Sequence, residues 1–188
     1  MPVDPSKLRV VHYPDPVLRR KAADIVVTDE VRAVAQRMIE LMNEEEGIGL
    51  AGPQVGLQWR IFVTRVPPSE KRPLGASPLQ ADEVPMVYIN PVLSDPAGDL
   101  VPFEEGCLSL PEITGVVNRP DEITIRALNE KGEKIERRGK GLLARCWQHE
   151  FDHLDGVLIL DRMTQIYRMK NRSAVRDLEA EWDANHGR

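Results

Sequence analysis

The pentapeptide His149-Glu150-Phe151-Asp152-His153 restricts this chain more than any other feature, because its polar residues make chemical sense together only on a helix. On a helix, residues four apart lie one above the other. His149 and His153 can then direct two imidazole nitrogens at one metal ion while Glu150 reaches a water beside it. The flanking text, from about Lys140 to Leu154, places Leu142, Leu143, Cys146, His149, Glu150 and His153 along one side, and Gly156 is set to end the helix. Imidazoles on an apolar face are buried, and buried imidazoles beside a buried carboxylate need a partner. The pattern predicts a metal-binding helix.

A catalytic metal needs a third protein ligand and an open position. The continuation Leu154-Asp155-Gly156-Val157-Leu158-Ile159 imitates a longer zinc-protease motif but puts Ile159 where its third histidine belongs, which excludes that layout. A carboxylate on a later helix is a second possibility, with Glu179 or Glu181 as nominees, although the acid-rich surroundings read as a solvated surface. Cys107, within Glu105-Gly106-Cys107-Leu108-Ser109-Leu110-Pro111, is the third: a thiolate is a strong ligand for Zn²⁺ or Fe²⁺, and Gly106 lets the backbone come close. The alternative is a buried free cysteine, a description that suits Cys146 better.

Around this helix the text has a simple organisation. Thr28 to Glu46 spaces Val31, Val34, Ala35, Met38, Ile39 and Met42 three and four apart, which predicts an amphipathic helix. The glycine-rich stretch Gly47 to Gly56 follows, then a strand over Trp59 to Val66, and Pro67 to Pro85 reads as a surface loop. Short strands are predicted at Val87 to Ile89, Val92 to Leu93, Thr114 to Val117, Ile123 to Ala127 and Lys134 to Arg137, the last two joined by an Asn129–Gly132 turn. Val157 to Leu160 is a short apolar run, and Thr164 to about Asp183 predicts a last helix. Helices bracketing hairpin-joined strands predict an α+β domain spanning residues 1–188.

Composition supports this and removes some functions. With 188 residues and 41% hydrophobic side chains, the chain can bury a core without stapling. A net charge of −5 argues against a protein that coats nucleic acid, and no DNA partner is expected. No apolar run approaches the ~20 residues that span a bilayer, and the start MPVDPSKLRV lacks the apolar stretch of an export signal. The expectation is a cytoplasmic protein, without membrane contact, whose two cysteines are free thiols.

Gly47-Ile48-Gly49-Leu50-Ala51-Gly52 matches G-x-G-x-x-G, but it follows a helix and runs into Pro53, so it cannot be a dinucleotide fingerprint. What it offers is a backbone free to approach a ligand, ending at Gln54, whose amide can donate to a developing oxyanion. Taken together, GIGLAGPQ, EGCLSLP and QHEFDHLDG resemble, in order and spacing, the three signature motifs of peptide deformylase, and the similarity extends from HYPDPVLRRKA through the closing helix.

The resemblance implies short, mostly antiparallel strands packed around a central helix carrying HExxH, between an N-terminal and a C-terminal helix. It implies hydrolysis of the formyl group from the N-terminal formylmethionine of newly made polypeptides. Cys107, His149 and His153 would bind the metal, Glu150 would be the acid/base, and Gln54 with the Leu108 N–H would form the oxyanion hole. Ile48, Gly49, Leu142 and Leu143 would line the substrate site. Fe²⁺ would be the physiological ion, with Zn²⁺, Ni²⁺ or Co²⁺ as substitutes. Gly52 replaces the second of the family's paired alanines and is expected to loosen the backbone before Gln54. Thr114 stands where the family often has an arginine, and Arg119 is expected to be buried with Glu105 or Asp152 as its charge partner.

Two rivals predict different dependences. A general endopeptidase would dispense with Cys107 and need an acid near Glu179, and a non-catalytic metal-stabilised module would tolerate Glu150→Gln. Finally, Thr164 to Arg176 contains Arg168, Lys170, Arg172 and Arg176 and no acid. Arg168, Arg172 and Arg176 stack at helical spacing into a stripe that would rest on ribosomal RNA phosphates if the enzyme works on emerging chains; otherwise it is an ordinary solvated face.

Overall fold

The computed structural model describes residues 2–187. Helix α1, Asp29–Glu44, starts where the Thr28 hydroxyl accepts the Val31 N–H and two acids occupy the first turn, both favourable to a helix N-terminus. It stops two residues short of the predicted end because Glu46 takes a left-handed φ of 55°.

Five strands follow, β1 (Gly49–Ala51), β2 (Ile61–Thr64), β3 (Met86–Cys107), β4 (Leu110–Leu128) and β5 (Lys134–Lys140), each antiparallel to the next in the order of the sequence. β2 and the start of β3 are covered on both faces. Ile61, Val63, Val87 and Ile89 pack with α1, while Phe62 and Tyr88 pack on the other side with Leu143 and Trp147. This is why β2 is buried at every position instead of alternating.

The sequence predicted several short strands here, and the structure has two long ones. Register shifts at Ile89/Val92, Ser94/Ala97, Ala97/Leu100 and Gly106/Cys107 break the alternation into pieces that read as separate strands, and prolines such as Pro91 and Pro96 sit within them. The β4–β5 turn is as predicted, with the Asn129 side chain accepting the N–H groups of Lys131 and Glu133. Pro67 to Pro85 is a loop apart from isolated bridges.

Helix α2, Leu142–Leu154, contains His149, Glu150 and His153 and is buried nearly all round, not along one side as its pattern predicted. Trp147 accounts for part of the difference: it is fully buried against Tyr88, in space that exists because Gly139 lacks a side chain, a Cβ there standing 2.5 Å from the indole. The apolar run Val157 to Leu160 leads into a one-turn helix, α3 (Ile159–Arg162), which takes up its second half. The predicted last helix is two, α4 (Gln165–Lys170) and α5 (Arg172–His186). Between them Asn171 donates through its amide to Thr114 O, at 2.7 Å, pinning the junction to β4. Among the described residues, no helix is long and apolar enough to cross a membrane.

Candidate metal centre and catalytic groove

Three separate elements deliver the site. Cys107 ends β3, immediately before the two-residue Leu108–Ser109 turn into β4. Gln54 lies in the helical turn Gly52–Val55 after β1, and α2 supplies the two histidines. The Cys107 Sγ lies 3.3 Å from His153 Nε2, which is 3.2 Å from His149 Nε2, and the three donor atoms all fall within 4.8 Å of one another. A tetrahedral ion with bonds of 2.0–2.3 Å needs ligand atoms about 3.4 Å apart, so the thiol and the two imidazoles fit a single divalent metal. Burial, and then His149 beside it, hold His153 well below the ordinary imidazole range, so its ring is neutral at neutral pH.

The other nitrogen of His149 is spoken for. Its Nδ1 lies 3.0 Å from Glu105 Oε2, which fixes the tautomer that aims Nε2 at the metal position. Glu105 is buried and accepts Arg119 through two nitrogens, at 2.7 and 2.9 Å, and Arg145 at 2.7 Å. Arg119 also donates to Asp152 at 2.8 Å. The sequence expectation of one partner for Arg119 is therefore exceeded, since it bridges both carboxylates. Arg145 and the use of Glu105 behind His149 were missed by sequence reasoning. Their positions, four residues before His149 and two before Cys107, were the available signal.

Glu150 is 4% exposed, and its Oε2 has no hydrogen-bond partner among the described residues. Burial pushes its carboxyl up to about 7, and a cation at the three-donor site would pull it down again. Gln54 is just as buried. Its Oε1 accepts the Ala51 N–H at 2.8 Å, leaving Nε2 near Cys107 Sγ, 3.5 Å away, and donating to Ser109 Oγ at 3.3 Å. Ser109 thus helps orient the amide. Gly52 does not loosen this turn as expected: a Cβ there would stand 2.5 Å from Trp59 O, so the backbone is packed at that point. The Leu108 N–H donates to no other group among the described residues.

These groups face a groove of about 610 Å³ whose lining includes Ile48, Gly49, Leu142 and Cys146. Leu143, predicted beside them, is a correction. It turns into the core against Trp147 and takes no part in the lining. Burial pushes the Cys146 thiol well up, and it donates to Ile48 O at 3.4 Å. Glu179 accepts the Tyr13 hydroxyl at 2.6 Å, and Ile159 lies in an apolar cluster, so neither belongs to the centre.

A family profile described as polypeptide deformylase matches residues 7–169. The chain belongs to that family. Among peptide deformylases, it is 39% identical over 163 residues to that of Desulforudis audaxviator, covering 86% of this chain and 97% of the relative. It is 43% identical to that of Opitutus terrae, covering 89% and 88%. The crystal structure of peptide deformylase from Plasmodium falciparum superposes with a TM-score of 0.83 at 34% identity, covering 95% of this chain and 99% of that one. A deformylase is a hydrolase that removes the N-formyl group from the N-terminal methionine of nascent polypeptides, and metal dependence goes with the family.

Proposed function

We propose that residues 1–188 act as one catalytic domain in which Cys107, His149 and His153 hold a single divalent ion and Glu150 is the acid/base of deformylation. The observation that carries this reading is the unpartnered, buried Glu150 carboxylate beside three converging donor atoms. The ion, when bound, supplies Lewis acidity and lowers the pKa of water. Glu150 takes the proton from the attacking water as its oxygen bonds to the formyl carbon. The charge that develops on the formyl oxygen faces Gln54 Nε2 and the Leu108 N–H, and one such donor is worth about 3 kcal/mol in the transition state. Glu150 returns the proton to the amine nitrogen as the C–N bond breaks, giving formate and a free N-terminus.

β1 stands at one end of the sheet order and has a single strand neighbour. Its free edge beside Ile48 and Gly49 supports an extended substrate laid along it, with Leu142 at the wall. Fe²⁺ is the proposed physiological ion, with Zn²⁺, Ni²⁺ or Co²⁺ as substitutes. A thiolate and two imidazoles accept all four, and the resemblance to deformylases favours iron. The setting is the cytoplasm, where the substrate is the nascent formylated polypeptide and Arg168, Arg172 and Arg176 touch the ribosome. Anaerobic purification, metal analysis and formate release from a formyl-Met peptide on one sample test the reading. A metal-loaded protein that releases no formate would contradict it.

A further inference from the structure

Asp82 is a buried carboxylate that the mechanism does not use. Among the described residues, the other buried acids, Glu105, Glu150 and Asp152, belong to the metal centre or to the arginine network behind it. Asp82 comes instead from the Pro67 to Pro85 loop, and its side chain is fully shielded from solvent. Burying a carboxylate is costly unless its oxygens are satisfied. Here both are. Oδ2 accepts the Thr64 hydroxyl at 3.1 Å and the Val66 N–H at 3.3 Å, Oδ1 accepts Arg137 at 2.9 Å, and the Asp82 N–H donates to Val66 O at 2.8 Å.

These bonds grip the chain at the end of β2 on either side of Arg65. The Arg65 N–H donates to Ile48 O at 2.9 Å, which extends the β1–β2 ladder to the wall of the groove. In an antiparallel ladder bonded pairs alternate with non-bonded ones, so Gly49, opposite Thr64, turns its N–H and C=O away from β2 to the free edge. Gly49 is also where β1 comes up against the Glu150 carboxylate. Arg137 holds Asp82 from the far side: it donates to the Tyr88 hydroxyl and lies over the Trp147 ring, 5.6 Å from its centre. A loop outside the groove thus ties the substrate edge to β5 and to the core side of α2.

Resting on the deformylase reading, we infer that Asp82 is a positioning residue for the substrate edge: through Thr64, Val66 and Arg65 it holds Ile48 and Gly49 in line to bond the backbone of the residues that follow the formylmethionine. Bonds along that edge are made in the ground state and the transition state alike, so loosening it falls on KM.

The test measures formate release from formyl-Met-Ala-Ser amide and from formyl-Met amide, which has no backbone beyond the methionine, on metal-loaded wild type and Asp82→Ala. The variant should keep its metal and its kcat, and KM for the longer peptide should rise about fivefold, the factor that one net hydrogen bond is worth. KM for formyl-Met amide should change by less than about twofold, since that substrate makes no bond further along the edge. Amide exchange of the Arg65 N–H in the Zn²⁺-loaded protein should quicken by about tenfold, reporting the bond to Ile48 without any turnover. Asp82→Asn keeps an acceptor for Thr64 and Val66 but not the charge opposite Arg137, and should return both readouts close to wild type. Val31→Ala, a buried truncation in the first turn of α1, should lower Tm and leave the KM ratio of the two substrates alone. Should Asp82→Ala fail to fold, Thr64→Val removes one of the gripping bonds at nearly constant shape, and should raise KM for the longer peptide and Arg65 exchange by about two- to threefold. A folded variant with unchanged KM for the longer peptide, an equal rise for both substrates, or unchanged Arg65 exchange would overturn the inference. Failure of wild type to release formate from either substrate would instead overturn the deformylase reading.

Discussion

A Cβ on Gly49 would stand 2.3 Å from Oε1 of Glu150, so β1 and α2 approach as they do because position 49 has no side chain. The glycine-rich loop and the HExxH helix are thus two halves of one requirement. Gly49→Ala should push the carboxylate off its position while leaving Cys107, His149 and His153 in place. A displacement near 1 Å costs on the order of 100-fold in rate. Metal content should stay at one ion per chain and kcat should fall by about that factor. Near-normal kcat in Gly49→Ala would show that Glu150 has room the geometry denies it.

Arg119 joins Glu105 and Asp152, and Glu105 in turn holds His149. Arg119→Met leaves two buried carboxylates short of a partner, a loss of about 3–5 kcal/mol. For a chain of this length that lowers Tm by on the order of 10 °C. Because Glu105 orients a ligand, metal affinity should weaken about 10- to 100-fold as well. Thermal melts and metal titrations check both; a stable variant with unchanged affinity would make the network ornamental.

Much of this was legible in the sequence because residues four apart on a helix and residues flanking a turn are fixed by local geometry. His149, Glu150 and His153 needed only the helical repeat, and Gln54 and Cys107 stood in short motifs. The long β3 and β4 were illegible because bulges reset the alternation that marks a strand. Leu143 was misplaced because a helix buried nearly all round gives no single face from which to read direction. Arg145 pairs with Glu105 across 40 residues of chain, and no local pattern encodes such a contact.

Docking of α5 depends on Tyr13 and Glu179. Burial, and then the hydrogen bond to Glu179, raise the Tyr13 hydroxyl from the usual 10 to about 12. The folded state therefore holds this proton more tightly than the unfolded chain. Its stabilisation is fully present below pH 10 and is lost as pH rises from 10 to 12. In urea unfolding, wild type should exceed Tyr13→Phe at pH 9, with the gap closing as the pH approaches 12. A gap independent of pH would mean the hydroxyl contributes nothing through its proton.

Arg168, Arg172 and Arg176 are all exposed, but the break at Asn171 puts the first on α4 and the others on α5. Co-sedimentation with ribosomes should be strong at low salt and weaken steeply as salt rises, by about one counterion per phosphate contact. Changing the three arginines to glutamate should abolish it. Equal sedimentation of wild type and variant would leave the stripe as a solvated surface.

In the proposed mechanism Glu150 moves protons and Cys107, with the two histidines, holds the ion. The most direct measurement is metal stoichiometry and formate release, under anaerobic conditions, for wild type, Glu150→Gln and Cys107→Ser. Wild type and Glu150→Gln should each retain one ion per chain, with turnover in Glu150→Gln reduced by at least about 100-fold. Cys107→Ser should lose metal, because a serine hydroxyl stays protonated at neutral pH. A Glu150→Gln protein that turns over normally, or a Cys107→Ser protein with full metal and full activity, would contradict the account.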